Sequence, residues 1–387
     1  MLRKKIKIGF ILRETDDDGS INYFNNLFSS LKNIKNIEIV IFSDTNSRLK
    51  FLKKDFKIIR SPIFKKKGAY FILRKILSFL FRDYILHSFL KKNNISILSH
   101  ISFDDLLWKN CDIKSYTWIP DIQHKYFPKY FPFKQLFLRE LRIRRQINNT
   151  SGIFVGSRSV LSELKYFYGE QINASILYAY PNLKSLNLKI NLKNKKNLIK
   201  KYKLPLSWYH FSGKFWEHKN HFFLIKALKK ISKLSNENIN IVCTGDFNDP
   251  KNLSHKQKIL KYIKINNLSK NFIILGRIKY TDVISIMCYS ISYLSPSLYE
   301  GWETGVTEAT DLGKKKILSN IKSHVESKDN QTKFFNKNIK NLIKLLISSK
   351  KNFNPNREIK KIKTKLSKLK KNDTRFAKQY LGKLKVL

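Results

Sequence analysis

Two acidic residues, Glu300 and Glu308, flank a run of glycine and small polar residues that contains Gly301, Thr304, Gly305, Val306 and Thr307. The run follows an apolar stretch at 291–294 and leads into a helical apolar pattern at 306–312 that stops at Gly313, so the spacing predicts a strand, a turn and a helix start. A helix start leaves backbone N–H groups without carbonyl partners and carries the positive end of the helix dipole, which suits an anion. A diphosphate is a fitting occupant. Carboxylates do not bind phosphate, but they accept hydrogen bonds from sugar and ribose hydroxyls. On spacing alone the same residues also read as a helix cap with two solvated acids.

The elements that must position this run recur along the whole chain. Short apolar blocks at 5–12, 37–42, 95–98, 116–119 and 153–155 read as buried strands, and amphipathic stretches at 21–31, 69–90, 133–147 and 160–167 as helices. A polar Lys/Asn-rich stretch at 183–203 separates them from a second series, with strands at 208–211, 239–243, 272–275, 291–294 and 316–318. Its helices are expected at 220–231, 256–265, 281–289, 306–312 and 339–346, and a basic amphipathic helix at 357–384. Alternating strands and helices predict parallel sheets covered on both faces, with ligands at the strands' carboxyl ends and a cleft between two doubly wound domains. With 387 residues the chain has room for two such domains.

Composition narrows the function classes. No apolar run reaches the roughly 18 residues of a membrane span, and the start of the chain lacks the apolar region and cleavage site of a secretory signal. A cytoplasmic protein is expected, with Cys111, Cys243 and Cys288 as buried thiols, since they have no metal-ligand or disulfide spacing. The formal net charge of +49 (77 Lys and Arg against 28 Asp and Glu) is spread over the full length. It reads either as compositional bias or as attraction to an anionic membrane surface, to which the basic and aromatic stretch 64–82 is suited. No nucleic-acid motif accompanies the charge, so no specific nucleic-acid partner is expected. Asp16 and Asp18 have the letters of a metal-binding D-x-D, but they precede a helix and read as its cap.

The string PSLYEGWETGVTEA at 296–309, with GKKKILSNIKSH after it, resembles the nucleotide-sugar loop of the retaining glycosyltransferases of family 4, the glycosyl transferases group 1 type. Glu300 and Glu308 stand at that family's E-x7-E spacing. The resemblance implies that Glu300 contacts hydroxyls of the donor sugar, that Glu308 holds the ribose, and that the amides of Gly305, Val306 and Thr307 contact phosphates and sugar. The segment 209–221 is similar to the one in which a lysine neutralises the departing diphosphate, a role that falls on Lys219, beside Gly213 and Lys214. Lys214 stands where many members carry arginine and supplies a point charge in place of a bidentate fork. The segment 271–279 resembles the strand and turn whose backbone reads the base, which implicates Gly276, Arg277 and Ile278.

In the first half, Gly19 stands at the family's double-glycine turn, with Ser20 in the second place, and Ser157 at a strand exit facing the cleft. Residues 118–131 resemble the family's PD-x-QH variant. Pro120 occupies the place of a histidine that other members use, which leaves Asp121 and His124 as acceptor-side groups; His124 reads equally as part of a structural turn.

The implied protein is an α/β GT-B enzyme with two Rossmann-like domains and an interdomain cleft. Residues 1–185 form the acceptor side, 186–350 bind the nucleotide sugar, and 351–387 form a helix returning to the first domain. The implied activity is retaining transfer of a hexose-type unit from a nucleotide-diphosphate sugar to a glycan or lipid-linked hydroxyl, in surface polysaccharide or lipopolysaccharide synthesis. No metal and no cofactor are expected, and peripheral contact with the inner face of the cell membrane is. A catalytically inactive sugar-binding homologue or scaffold is the alternative.

Overall fold

The computed structural model describes residues 5–13, 18–32, 34–45, 49, 56–80, 82–249, 252–336, 338–369 and 374–385, without the side chains of 18, 79 and 80. The chain forms two compact units, Met1–Tyr180 with Thr374–Leu387, and Pro181–Asp373.

In the first unit β1 (Ile6–Ile11), α1 (Asp18–Leu31), β2 (Ile37–Ser43), β3 (Lys57–Arg60), α2 (Ala69–Leu80), α3 (Tyr84–Lys92), β4 (Ile97–Ile101), β5 (Lys114–Ile119), α4 (Gln123–Tyr126), α5 (Phe133–Asn149), β6 (Gly152–Val155), α6 (Arg158–Tyr168) and β7 (Ala174–Ile176) follow in order. The sheet order is β3-β2-β1-β4-β5-β6-β7, with all neighbours parallel. The order reverses between β1 and β4, the switch point of a doubly wound sheet. Ile8, Phe10, Ile41, Phe42, Leu98 and Phe154 are fully buried between the helical layers, as parallel strands covered on both faces require.

The second unit contains α7 (Leu192–Tyr202), β8 (Tyr209–Ser212), α8 (His221–Leu234), β9 (Ile241–Thr244), α9 (Leu253–Ile265), β10 (Phe272–Gly276), α10 (Tyr280–Tyr289), β11 (Tyr293–Ser295), α11 (Thr304–Asp311), β12 (Lys316–Ser319), α12 (Lys322–Glu326), β13 (Thr332–Phe335), α13 (Ile339–Lys351) and α14 (Pro355–Lys368). Its parallel sheet runs β10-β9-β8-β11-β12-β13, with the switch between β8 and β11. α15 (Arg375–Leu384) completes the first unit, where Phe376, Tyr380, Leu381 and Leu384 join the core with Phe10 and Phe28.

Three expectations from the sequence change. The single helix expected at 69–90 is two, because Asp83 caps α3: its carboxylate accepts the Leu86 amide at 2.9 Å and Arg74 Nε at 2.8 Å. The polar stretch 183–203 holds α7, which Asn191 caps by accepting the Asn194 amide at 2.8 Å. Its Lys195 is nearly buried and lies 5.6 Å from the Trp208 ring. The helix expected at 357–384 is also two, α14 on the second unit and α15 on the first.

Candidate functional site

The site forms at the switch point of the second unit, where the loops leaving β8 and β11 are pinned to each other. The Leu298 amide donates to the His218 carbonyl at 2.7 Å, and Asn220 Nδ2 donates to the Pro296 carbonyl at 3.2 Å. Asn220 can do so because it sits in the left-handed region, φ 56°, which asparagine tolerates better than most residues. This pinning brings Lys219 and Glu300 together: Nζ lies 2.6 Å from Oε1, with both side chains mostly buried. Burial opposes the charge of Lys219, but Glu300 and Glu303 outweigh it and hold the ammonium above the usual lysine range. Burial pushes the Glu300 carboxyl up against the pull of Lys219, and neighbouring Glu303 adds to the rise.

Close approach at the strand ends depends on two glycines. A Cβ on Gly305 would lie 2.1 Å from the Tyr293 hydroxyl, and one on Gly245, at φ +126°, would lie 2.2 Å from the Gly213 carbonyl. Their absence of a side chain lets the first turn of α11 rest on the ends of β8 and β11 and lets β9 close against β8. The Val306 and Thr307 amides donate to the Glu303 carbonyl at 3.1 and 3.3 Å. The amides of Thr304 and Gly305 head the helix, where no preceding turn offers a carbonyl.

Glu303, which sequence reasoning passed over, is the most densely bonded acid here. It accepts Tyr293 Oη at 2.7 Å and Ser295 Oγ at 2.7 Å, and lies 2.8 Å from His324 Nε2. Burial alone would raise it, but the charge of Lys219 and the contact with His324 bring it down to about 2. Its signal in the sequence was only a third glutamate three residues after Glu300, and its partner His324 closes the string quoted above. Glu308 is buried and accepts the Tyr280 hydroxyl at 2.6 Å. Burial lifts its carboxyl to about 7 against that hydrogen bond, with Glu303 and Asp311 adding to the rise.

The remaining residues fall around or away from this centre. Lys219 lies over Gly213, its Nζ 3.7 Å from where a Cβ would stand. Lys214 is half-buried with its ammonium 5.1 Å from the Trp216 ring. Gly301 is buried, and Thr304 and Thr307 are half-buried. Gly276 takes φ +66°, accepts the Gly245 amide at 2.9 Å, and is followed by exposed Arg277 and half-buried Ile278. His221 packs as a buried ring on Phe215, centroids 3.9 Å apart.

The other candidates belong to the first unit. Gly19 is exposed in the first turn of α1. Asp16 and the Asp18 side chain lie outside the described residues. Ser157 is buried and caps α6 by accepting the Val160 amide at 3.1 Å, so its hydroxyl serves the helix. Asp121 accepts Arg139 and the Gln123 amide, which fixes the turn before α4. His124 is buried beside Tyr168 and Glu140, with no hydrogen-bond partner on Nδ1. Burial and the charge of Arg139 lower it from the usual histidine range. Among the described residues one group could offer a metal three ligands: His87, Cys111 and Asp112. There Lys91 Nζ already holds the second Asp112 oxygen at 2.5 Å, and burial pushes the Cys111 thiol up to about 11.

Residues 193–366 match the family described as glycosyl transferases group 1. No curated protein matches the chain by sequence. Among solved structures, HepE of Anabaena in complex with UDP and glucose superposes with a TM-score of 0.72 at 12% identity, over 99% of this chain and 100% of that one. A glycosyltransferase from Rickettsia africae gives 0.69 at 15%, over 99% and 98%. WaaG, a glycosyltransferase involved in lipopolysaccharide biosynthesis, gives 0.63 at 11%, over 97% and 99%. The likenesses establish the fold, and the match over α7 to α14 establishes the chemistry class: the chain carries a glycosyl transferases group 1 domain and is a glycosyltransferase of the GT-B type.

Proposed function

We propose that the enzyme transfers a hexose-type unit from a nucleoside-diphosphate sugar to a hydroxyl of a glycan or lipid-linked acceptor at a membrane surface, with retention at the anomeric carbon. The observation that carries the reading is the buried Lys219–Glu300 pair beside Gly213 and the open amides of α11. The donor's diphosphate rests against the Thr304 and Gly305 amides, and Lys219 turns to it as the C–O bond breaks, where negative charge accumulates. Glu300, released from the lysine, accepts hydroxyls of the sugar, and Glu308 accepts those of the ribose. The acceptor oxygen bonds to the anomeric carbon on the face the diphosphate leaves, and its proton passes to a leaving phosphate oxygen. No protein nucleophile and no metal enter this scheme.

UDP-glucose is the first donor to test, because HepE has been solved with it. The expected result is a thermal shift with one member of a panel of UDP-, GDP- and ADP-sugars. Slow hydrolysis of that donor should fall at least about 100-fold in Lys219→Ala. A shift without any hydrolysis or transfer would select the inactive sugar-binding alternative. No shift with any member would remove the donor reading altogether.

A further inference from the structure

Helix α2 is built inside out. Its one fully buried polar side chain is Arg74, whose Nε donates to Asp83 at 2.8 Å, Nη1 to the Ile63 carbonyl at 2.8 Å and Nη2 to Asp105 at 3.3 Å. Asp105 is fixed in turn by Arg13 Nη2 at 2.6 Å. Ile72, Leu73 and Ile76 stand at 60%, 47% and 49% exposure, and Tyr70 at 53%. Positions i, i+1 and i+4 share one helix face, so the three aliphatic side chains form a stripe roughly opposite the guanidinium. An ordinary surface helix would hide that stripe and expose the arginine; here the charge network holds the apolar face outward. Lys65, Lys66 and Lys67 are exposed directly before the helix, Lys75 is exposed beside the stripe, and the first turn has no acidic residue.

We propose that α2 is the docking surface of this enzyme on an anionic lipid bilayer, with Ile72, Leu73 and Ile76 in the acyl boundary and Lys65–Lys67 among the headgroups. Such a partner supplies apolar depth and negative charge together. A second copy of the chain would bring the same lysines and the same net charge of +49 against them. The inference deepens the reading of a membrane-surface acceptor and rests on it for biological purpose, but not for its test.

Flotation of the full chain should show binding to phosphatidylcholine vesicles with roughly a third phosphatidylglycerol, and little binding to phosphatidylcholine alone. Ile72→Asp/Ile76→Asp, at exposed positions, should lower the partition coefficient at least about tenfold. Lys65→Glu/Lys66→Glu/Lys67→Glu should lower it by a similar factor and abolish most of its salt dependence. Unchanged melting in both variants shows that the fold is intact. The inference is overturned if the native chain fails to float with anionic vesicles, if the variants float as well as it does, or if the native chain is a dimer that Ile72→Asp/Ile76→Asp dissociates. A chain that floats but gives no thermal shift with any nucleotide sugar would retain the docking surface and lose the donor site.

Discussion

Lys219 and Glu300 form a buried ion pair, and the lysine also offsets the nearby charge of Glu303. Lys219→Met should therefore destabilise the second unit by about 3 kcal/mol in urea denaturation, and Lys219→Met/Glu300→Gln should recover only part of that loss, because Glu303 still lacks the lysine's charge. Activity should not recover in the double variant, which separates folding from chemistry. Glu308 gives a second test, through pH. Its carboxyl moves from an ordinary 4.5 to about 7 on folding, so the folded chain keeps a proton that the unfolded chain releases between those values. Below pH 4.5 both states hold the proton and nothing is lost. As pH rises through about 7 the folded state pays a penalty on the order of 3 kcal/mol. Glu308→Gln should lack it, so its melting temperature should gain on the native chain from pH 5 to pH 8; parallel profiles would refute the assignment. At this scale type and spacing singled out Glu300 and Glu308, and the family resemblance singled out Lys219. The sequence hid Glu303, because the side chains bonded to it, Tyr293, Ser295 and His324, lie 10, 8 and 21 residues away.

The elements were legible where burial alone decides them. β1, β2, β9 and β11 are apolar runs because both faces of a central parallel strand are covered. β3, β7 and β13 are three or four residues long and partly exposed at or beside the sheet margins, with little apolar pattern to read. α7 was hidden by its lysines and asparagines, since a cap and a few contacts suffice to hold it. Gly305 tests how α11 is set. In Gly305→Ala the new methyl meets the Tyr293 hydroxyl, so the first turn must lift from the sheet. The expected cost is about 1–3 kcal/mol, with loss of the donor-induced thermal shift while far-UV circular dichroism stays native. Full donor binding in this variant would show that the approach of α11 to the strand ends is not what makes the site.

At the scale of the molecule, the first unit is completed by the end of the chain. Phe376, Ala377, Tyr380, Leu381 and Leu384 are each at most 1% exposed in the core with β1 and α1, and Gln379 accepts the Tyr178 amide at 2.9 Å. Each large apolar side chain so buried contributes about 1.5–3 kcal/mol as an upper estimate, which together rivals the whole stability of an ordinary domain, about 5–15 kcal/mol. Sequence periodicity shows that 357–384 is amphipathic but not which unit each half covers, because that depends on apolar faces presented hundreds of residues earlier. A chain ending after residue 373 should then keep the second unit and lose the first. Hydrogen exchange is expected to accelerate at least about tenfold in β1, β2 and β4, while β8, β9 and β11 remain protected. Supplying residues 374–387 as a separate peptide should restore the slow exchange of β1, because the contacts are apolar and local to that face. Protection of β1 in the shortened chain, equal to that of the full chain, would mean that α15 covers a core already stable without it.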